Sequence, residues 1–294
     1  MASQEIPQAI IGLIGGSGTF SLQFPEDLAA PGVEVLAEGL VFETPFGESP
    51  PLKLFSVGSD PARRVLAAKM HGRIPGVSWG EASRRLFWVF REAGARKVVA
   101  EGGVGSVNHL LDPRDIVVPT DYIDLSMRRN ISLGEEYLAI MRQPICPSLH
   151  ATLVEAGRDN PLGRVFPRGV YVVTDGRHFE SPAEVALFRQ WGADVVGQTL
   201  CPEVYLAREI GACYAGIYLV VNYGEGVVKP WEHQLLKDIF FEDAMPWGKV
   251  ILRALETIEL SAECECHSLR KPTLLRPENV GLAKHEQNKP EKRT

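Results

Sequence analysis

Gly169-Val170-Tyr171-Val172-Val173-Thr174 runs directly into Asp175-Gly176-Arg177-His178-Phe179-Glu180, and further along Cys213–Val221 runs into Asn222-Tyr223-Gly224. Both apolar runs have the length and β-branched content of a buried strand. Both then break into polar residues at the point where such a strand ends. In open α/β sheets that edge is where small ligands bind. A Glu180 carboxylate can accept two N–H donors, and an Asn222 amide offers one acceptor and two donors. Converging on one ring, the two can grip a flat heterocycle carrying both donor and acceptor groups, a description that a purine base fits.

Short apolar runs recur outward from these segments and predict further strands at Ala9–Ile14, Leu52–Val57, Arg64–Lys69, Lys97–Ala100 and Asp115–Val118. Longer amphipathic stretches lie between them. In Ser78–Ala93, Trp79, Ala82, Leu86, Phe90 and Ala93 recur at helical steps, with Ser78 as cap and Gly94 as stop. Pro182–Trp191 and Pro202–Ile210 each begin with proline, which suits a first helical turn, and Trp247–Leu260 reads as a further helix. The β/α alternation predicts a single three-layer α/β fold whose central sheet is parallel or mixed and flanked by helices. Residues 9–271 read as one domain, with 1–8 and the polar, charge-rich 272–294 as flexible termini.

A chain of 294 residues with 45% hydrophobic and 23% charged residues has the composition of a soluble globular protein with a substantial core. A formal charge of −6 argues against nucleic-acid partners, which need a basic face. The start MASQEIPQA lacks the basic residues and apolar core of a signal peptide, and no apolar stretch approaches the ~20 residues that span a bilayer. Five scattered cysteines suit a reducing, cytoplasmic setting better than a disulfide scaffold.

Three glycine-bearing segments follow strands. Gly15-Gly16-Ser17-Gly18 can turn tightly, and its backbone N–H groups and the Ser17 hydroxyl make an anion cradle or simply a tight turn. The spacing is neither a dinucleotide fingerprint nor a Walker loop. Met70-His71-Gly72-Arg73 brings an imidazole and a guanidinium to a strand end, where they face an anion, a sugar hydroxyl or merely water. Glu101-Gly102-Gly103-Val104-Gly105-Ser106 reads as a turn exposing backbone donors behind a carboxylate. Cys264-Glu265-Cys266-His267 is an incomplete ligand set with no partner pair at zinc-like spacing, so no metal is expected there. Serine-hydrolase and zinc-protease motifs are absent from the sequence.

Taken in order, Ile11–Gly18, Glu43-Thr44-Pro45-Phe46-Gly47, His71-Gly72-Arg73, Asp115–Val118, Trp191-Gly192-Ala193-Asp194-Val195 and Pro202-Glu203-Val204 resemble the 5′-methylthioadenosine phosphorylase branch of the purine nucleoside phosphorylase family. The resemblance covers residues 10 to 267 and extends to the Cys264/Cys266 pair. It implies a phosphorylase/hydrolase-like fold with a central mixed sheet flanked by helices, a homotrimer, and cleavage of a purine N-glycosidic bond by phosphate as co-substrate, without a cofactor. By position it implies phosphate contacts from Ser17, His71, Gly103 and Thr199, a sugar contact from Gln198, and a base packed on Phe179. Asn222 would stabilise the leaving base and Glu180 would accept from its edge. The segment Asn222-Tyr223-Gly224 has Asn and Gly where the methylthioadenosine branch carries acids, and Phe179-Glu180 with Asn222 is the 6-oxopurine pattern, so the reading leans to a 6-oxopurine or modified base.

The phosphate site departs furthest from that branch. Met70 stands where Arg is usual, Pro75 where His is usual, and Glu101 adds negative charge, with Arg73 as the cation that would compensate by turning inward. These departures keep two alternatives in view. One is a phosphate-independent nucleosidase or glycosyl-transferring biosynthetic enzyme in which Glu101 orients water or stabilises a ribosyl cation. The other is a nucleoside-binding homologue without turnover.

Overall fold

The computed structural model describes residues 5–128, 130–158, 161–176, 178–261 and 263–274. Arg177 and most of the expected C-terminal tail lie outside the described residues. Arg270–Pro272 pairs antiparallel with Tyr137–Ala139.

An eleven-stranded mixed sheet forms the centre. Its spine is Cys213–Tyr223, buried along its whole length, beside Lys97–Ser106, also buried except at Gly103. A strand buried on both faces reads as one apolar run, which is why these segments stand out in the sequence. The two pair in parallel from Cys213↔Lys97 to Tyr223↔Ser106. Ile11–Ile14 continues the parallel set on the far side of Lys97–Ser106, followed by Arg64–Ala68. Leu52–Val57 and then Val33–Leu40 close that edge antiparallel. A parallel trio, Asp121–Asp124, Val170–Val173 and Val195–Gly197, joins through antiparallel pairing of Val195 with Ser106.

Helices pack over the sheet in pairs, Trp79–Glu92 with Leu200–Ile210 and Pro147–Arg158 with Ala244–Thr257, giving the three-layer α/β arrangement. Ser78 caps the first, its hydroxyl accepting from the Glu81 amide at 3.3 Å. Ser181 and Glu184 form a reciprocal capping box on Pro182–Gln190, an arrangement whose loss typically costs about 1 kcal/mol. Trp247, Tyr171, Tyr218, Phe55, Phe87 and Phe90 are the largest fully buried side chains of the core.

Two features depart from the sequence reading and shape the site. Glu101–Ser106 is not a turn. The strand that begins at Lys97 continues through Ser106 and pairs along its length with Cys213–Tyr223, while the Gly103 amide turns to Ser17 Oγ. The glycines serve close approach instead: a Cβ on Gly103 would lie 2.9 Å from both Ser17 Oγ and a Val221 methyl. Second, the register slips between Val220 and Asn222, leaving Asn222 opposite Gly105. A bulge at that place re-aims the following side chain.

Candidate active site

At the carboxyl ends of the central strands lies a hollow of about 270 Å³, near the lower end of the range of small-molecule sites. Ser17, His71, Gly103, Thr199, Phe179, Glu180, Gln198, Asn222 and Gly224 all line it. Six separate stretches of chain thus meet at one sheet edge.

One end carries the base-type groups. Asn222 is 4% exposed, lies over Gly105, and its Nδ2 donates to the Tyr223 carbonyl at 2.8 Å. That bond uses one amide hydrogen and leaves the second, and the carbonyl oxygen, for a ligand. Glu180 is 6% exposed and accepts from the Thr174 hydroxyl at 2.6 Å, which fixes its rotamer while leaving acceptor capacity. Phe179 is half exposed and meets the ring of Trp231 with centroids 5.0 Å apart, forming an aromatic wall.

The other end suits an oxyanion. Ser17 Oγ accepts from the Gly103 amide at 3.1 Å, so its own O–H proton is free to donate. Among the described residues the Ser17 amide has no protein acceptor. His71 is buried in a left-handed conformation (φ 53°), its Nδ1 lying 2.8 Å from Glu203 Oε1. Glu203, 1% exposed, also accepts from the Tyr214 hydroxyl at 2.8 Å. Burial pushes the Tyr214 phenol well above its ordinary value, so it stays a donor. With Nδ1 held by Glu203, Nε2 is the ring nitrogen turned to Gly16 and Gly102; a Cβ on Gly16 would lie 2.7 Å from it. Glycine is required there because the loop passes between the imidazole and the Glu101 carbonyl oxygen, which that Cβ would approach to 2.3 Å.

Two residues expected at the anion end are placed elsewhere. Arg73 is exposed and does not line the hollow; it lines two other surface depressions. It does not turn inward because it follows the turn at Met70–Gly72, which already delivers His71. Glu101 is fully buried behind the glycine loop rather than in the hollow. Its Oε1 accepts from the Gly16 amide, from the Thr19 amide at 3.3 Å and from Thr19 Oγ1 at 2.7 Å, and its Oε2 from Trp247 Nε1 at 2.8 Å. Four donors satisfy the charge, so the carboxylate anchors the loop that carries Ser17.

Among the described residues no Arg or Lys lines the hollow, leaving His71 as its one cation-capable side chain. Several contributors escaped the sequence reading. Trp79, Glu225, Trp231, Leu236 and Phe240 complete the walls, so the segment after Gly224 folds across the opening. Arg128, 7% exposed, donates to the Gln198 carbonyl at 2.8 Å and the Thr174 carbonyl at 2.7 Å, bracing two strand ends behind the site. A buried arginine has no local sequence signature. Cys264 and Cys266, read as lacking a partner pair, lie beside Cys146 and Cys213 at the opposite end of the central strand.

The Phosphorylase superfamily matches residues 10–256. The chain belongs to that superfamily. It is 31% identical over 277 residues to a probable 6-oxopurine nucleoside phosphorylase of Korarchaeum cryptofilum (strain OPF8), covering 87% of this chain and 96% of the relative. It is 32% identical over 265 residues to S-methyl-5'-thioadenosine phosphorylase of Pyrococcus horikoshii, covering 89% and 97%. A methylthioadenosine phosphorylase sourced from an antarctic soil metagenomic library superposes with a TM-score of 0.72 at 27% identity, covering 89% of this chain and 91% of that structure. That structure thus shares the overall fold of this chain. Among the described residues no helix is long and apolar enough to cross a membrane.

Proposed function

We propose that this chain cleaves the N-glycosidic bond of a purine nucleoside with phosphate, and that its base site favours a 6-oxopurine. The observation that carries the reading is the meeting of Asn222 and Glu180 in the same hollow as Ser17 and His71. A nucleoside laid along it puts the purine against Phe179, Asn222 and Glu180, the sugar near Gln198, and phosphate at Ser17, His71, Gly103 and Thr199. In the reaction the bond from C1′ to N9 breaks, with its electron pair passing into the purine. A phosphate oxygen forms the new bond to C1′, and the proton of the monohydrogen phosphate ends on the free base.

Each residue then has a distinct task. The spare Asn222 N–H donates toward O6 or N7, where negative charge grows as the base departs. Such donors are worth about 3–4 kcal/mol in a dry site. Glu180 accepts from the N1–H that a 6-oxopurine carries. At the other end the Ser17 hydroxyl and amide donate to phosphate, and an anion at Nε2 with Glu203 at Nδ1 gives His71 a use for both ring protons. A homotrimer and a cytoplasmic location belong to the same proposal, by likeness to the family.

One observation favours a second reading, cleavage by water. With no Arg or Lys lining the hollow, phosphate lacks the charge-assisted bonds worth roughly 1.5–3 kcal/mol each. The test is release of free base from inosine, guanosine, adenosine and their 5′-methylthio counterparts, with and without phosphate. Release from the 6-oxopurine nucleosides that rises in proportion to phosphate fits phosphorolysis. A rate indifferent to phosphate supports water, and preference for adenine compounds removes the assignment of the base.

A further inference from the structure

Four of the five cysteines converge far from the hollow. Cys146 precedes the helix Pro147–Arg158, Cys213 opens the central strand, and Cys264 and Cys266 sit in the turns after the helix Ala244–Thr257. Their four sulfurs all lie within 4.8 Å of one another, with the Cys213 and Cys264 sulfurs 3.2 Å apart. Cys146, Cys213 and Cys266 are buried and Cys264 is half-buried. Tetrahedral zinc with bonds of ~2.3 Å to sulfur sets its ligands roughly 3.8 Å apart, which is the scale of this cluster. We propose that Cys146, Cys213, Cys264 and Cys266 form a structural tetrathiolate site for one zinc ion.

The surroundings fit such an ion. Four thiolates around a divalent cation leave a net charge of about −2, which must be compensated once it is out of water. Lys97 is 3% exposed and its Nζ lies 3.7 Å from Cys213 Sγ. Arg208, 2% exposed, donates to the Cys266 carbonyl at 2.7 Å and the Gln143 carbonyl at 2.6 Å. It thereby fixes both the turn bearing Cys266 and the segment leading to Cys146. A surface hollow lined by Arg96, Lys97, Cys213, Cys264, His267 and Arg270 gives an ion a way in. Thiolate ligands at tetrahedral spacing select zinc over hard, oxygen-seeking cations.

Four protein ligands and no open position mark a structural rather than a catalytic ion. The site would cross-link three segments of chain where the central strand begins, while Asn222 lies near that strand's other end, roughly 30 Å away at ~3.3 Å per residue. The linear spacing concealed it. Cys-x-Cys supplies two ligands, and the other two arrive singly from distant segments.

The experiment uses the full chain purified under reducing, chelator-free conditions, with metal measured by plasma mass spectrometry before and after addition of zinc. The expected result is about one zinc per chain, and, on substitution by cobalt, the visible absorption of a tetrahedral thiolate complex. Four thiols should react with an aromatic disulfide reagent only after a chelator strips the ion. Cys264→Ser, at the least buried ligand, should lower zinc retained after dialysis by about tenfold or more and lower Tm. Cys201→Ser, at a buried cysteine outside the cluster, should keep the zinc. Should Cys264→Ser fail to fold, thiol protection and cobalt absorption in the unaltered protein still decide. The proposal is overturned if zinc-supplemented protein binds well under one ion per chain. It is equally overturned if cobalt gives no thiolate band, or if the four cysteines are recovered as disulfides in metal-free protein of undiminished stability.

Discussion

Glu101→Gln separates anchoring from catalysis. In the native protein Oε1 gathers three donors, from Gly16 and Thr19, and Oε2 takes the indole N–H of Trp247. Glutamine can keep its oxygen only where the three donors converge, so its NH₂ then faces Trp247 Nε1–H, donor against donor. The bond to Trp247 is lost, the three that remain are no longer charge-assisted, and a buried N–H is stranded beside Trp247, itself fully buried. Together these cost about 2–4 kcal/mol. For a chain of this size roughly 2 °C follows each kcal/mol, so Tm should fall by about 4–8 °C. Thermal unfolding followed by fluorescence measures it. Trp247→Phe removes the stranded donor. The double variant should therefore be less destabilised than the sum of the singles, by about 1–2 kcal/mol. Below its lowered Tm, E101Q should release free base within about tenfold of the unaltered protein, since the carboxylate does not line the hollow. An unchanged Tm with base release abolished would refute this reasoning and put the carboxylate on the reacting atoms.

Other substitutions probe the hollow directly. Asn222→Asp replaces the amide donor by an acceptor and should lower kcat/KM for inosine-type substrates by about 10²–10³, while adenosine-type substrates lose far less. Steady-state kinetics on both series checks it. Met70→Arg supplies a guanidinium to a position that already lines the hollow, and should lower the phosphate KM by about tenfold or more with little change in Tm. Arg73→Ala removes an exposed guanidinium outside the hollow, so phosphate KM measured the same way should stay within about twofold.

What the sequence disclosed follows from physical range. The spine strands and the capped helix after Ser78 are legible because burial and helical periodicity are local patterns. Asn222 and Glu180 stand out because each follows an apolar run at a place where strands of this class end. Glu101–Ser106 misled because glycines usually signal a turn. Here they permit close approach inside a strand, a demand set by Ser17 and Asn222 from elsewhere in the chain. The placement of Glu101 was equally hidden, since its partners Thr19 and Trp247 are remote in sequence. The walls from Trp231 and Phe240, the brace from Arg128 and the four-cysteine cluster are tertiary facts with no local trace.

The most direct test of the central claim is phosphorus-31 NMR of the purified protein with inosine or 5′-methylthioinosine and inorganic phosphate, alongside a count of free base. The account predicts that inorganic phosphate falls and a sugar phosphomonoester rises in step with hypoxanthine, one for one. Hypoxanthine appearing while the inorganic phosphate signal stays constant would contradict it.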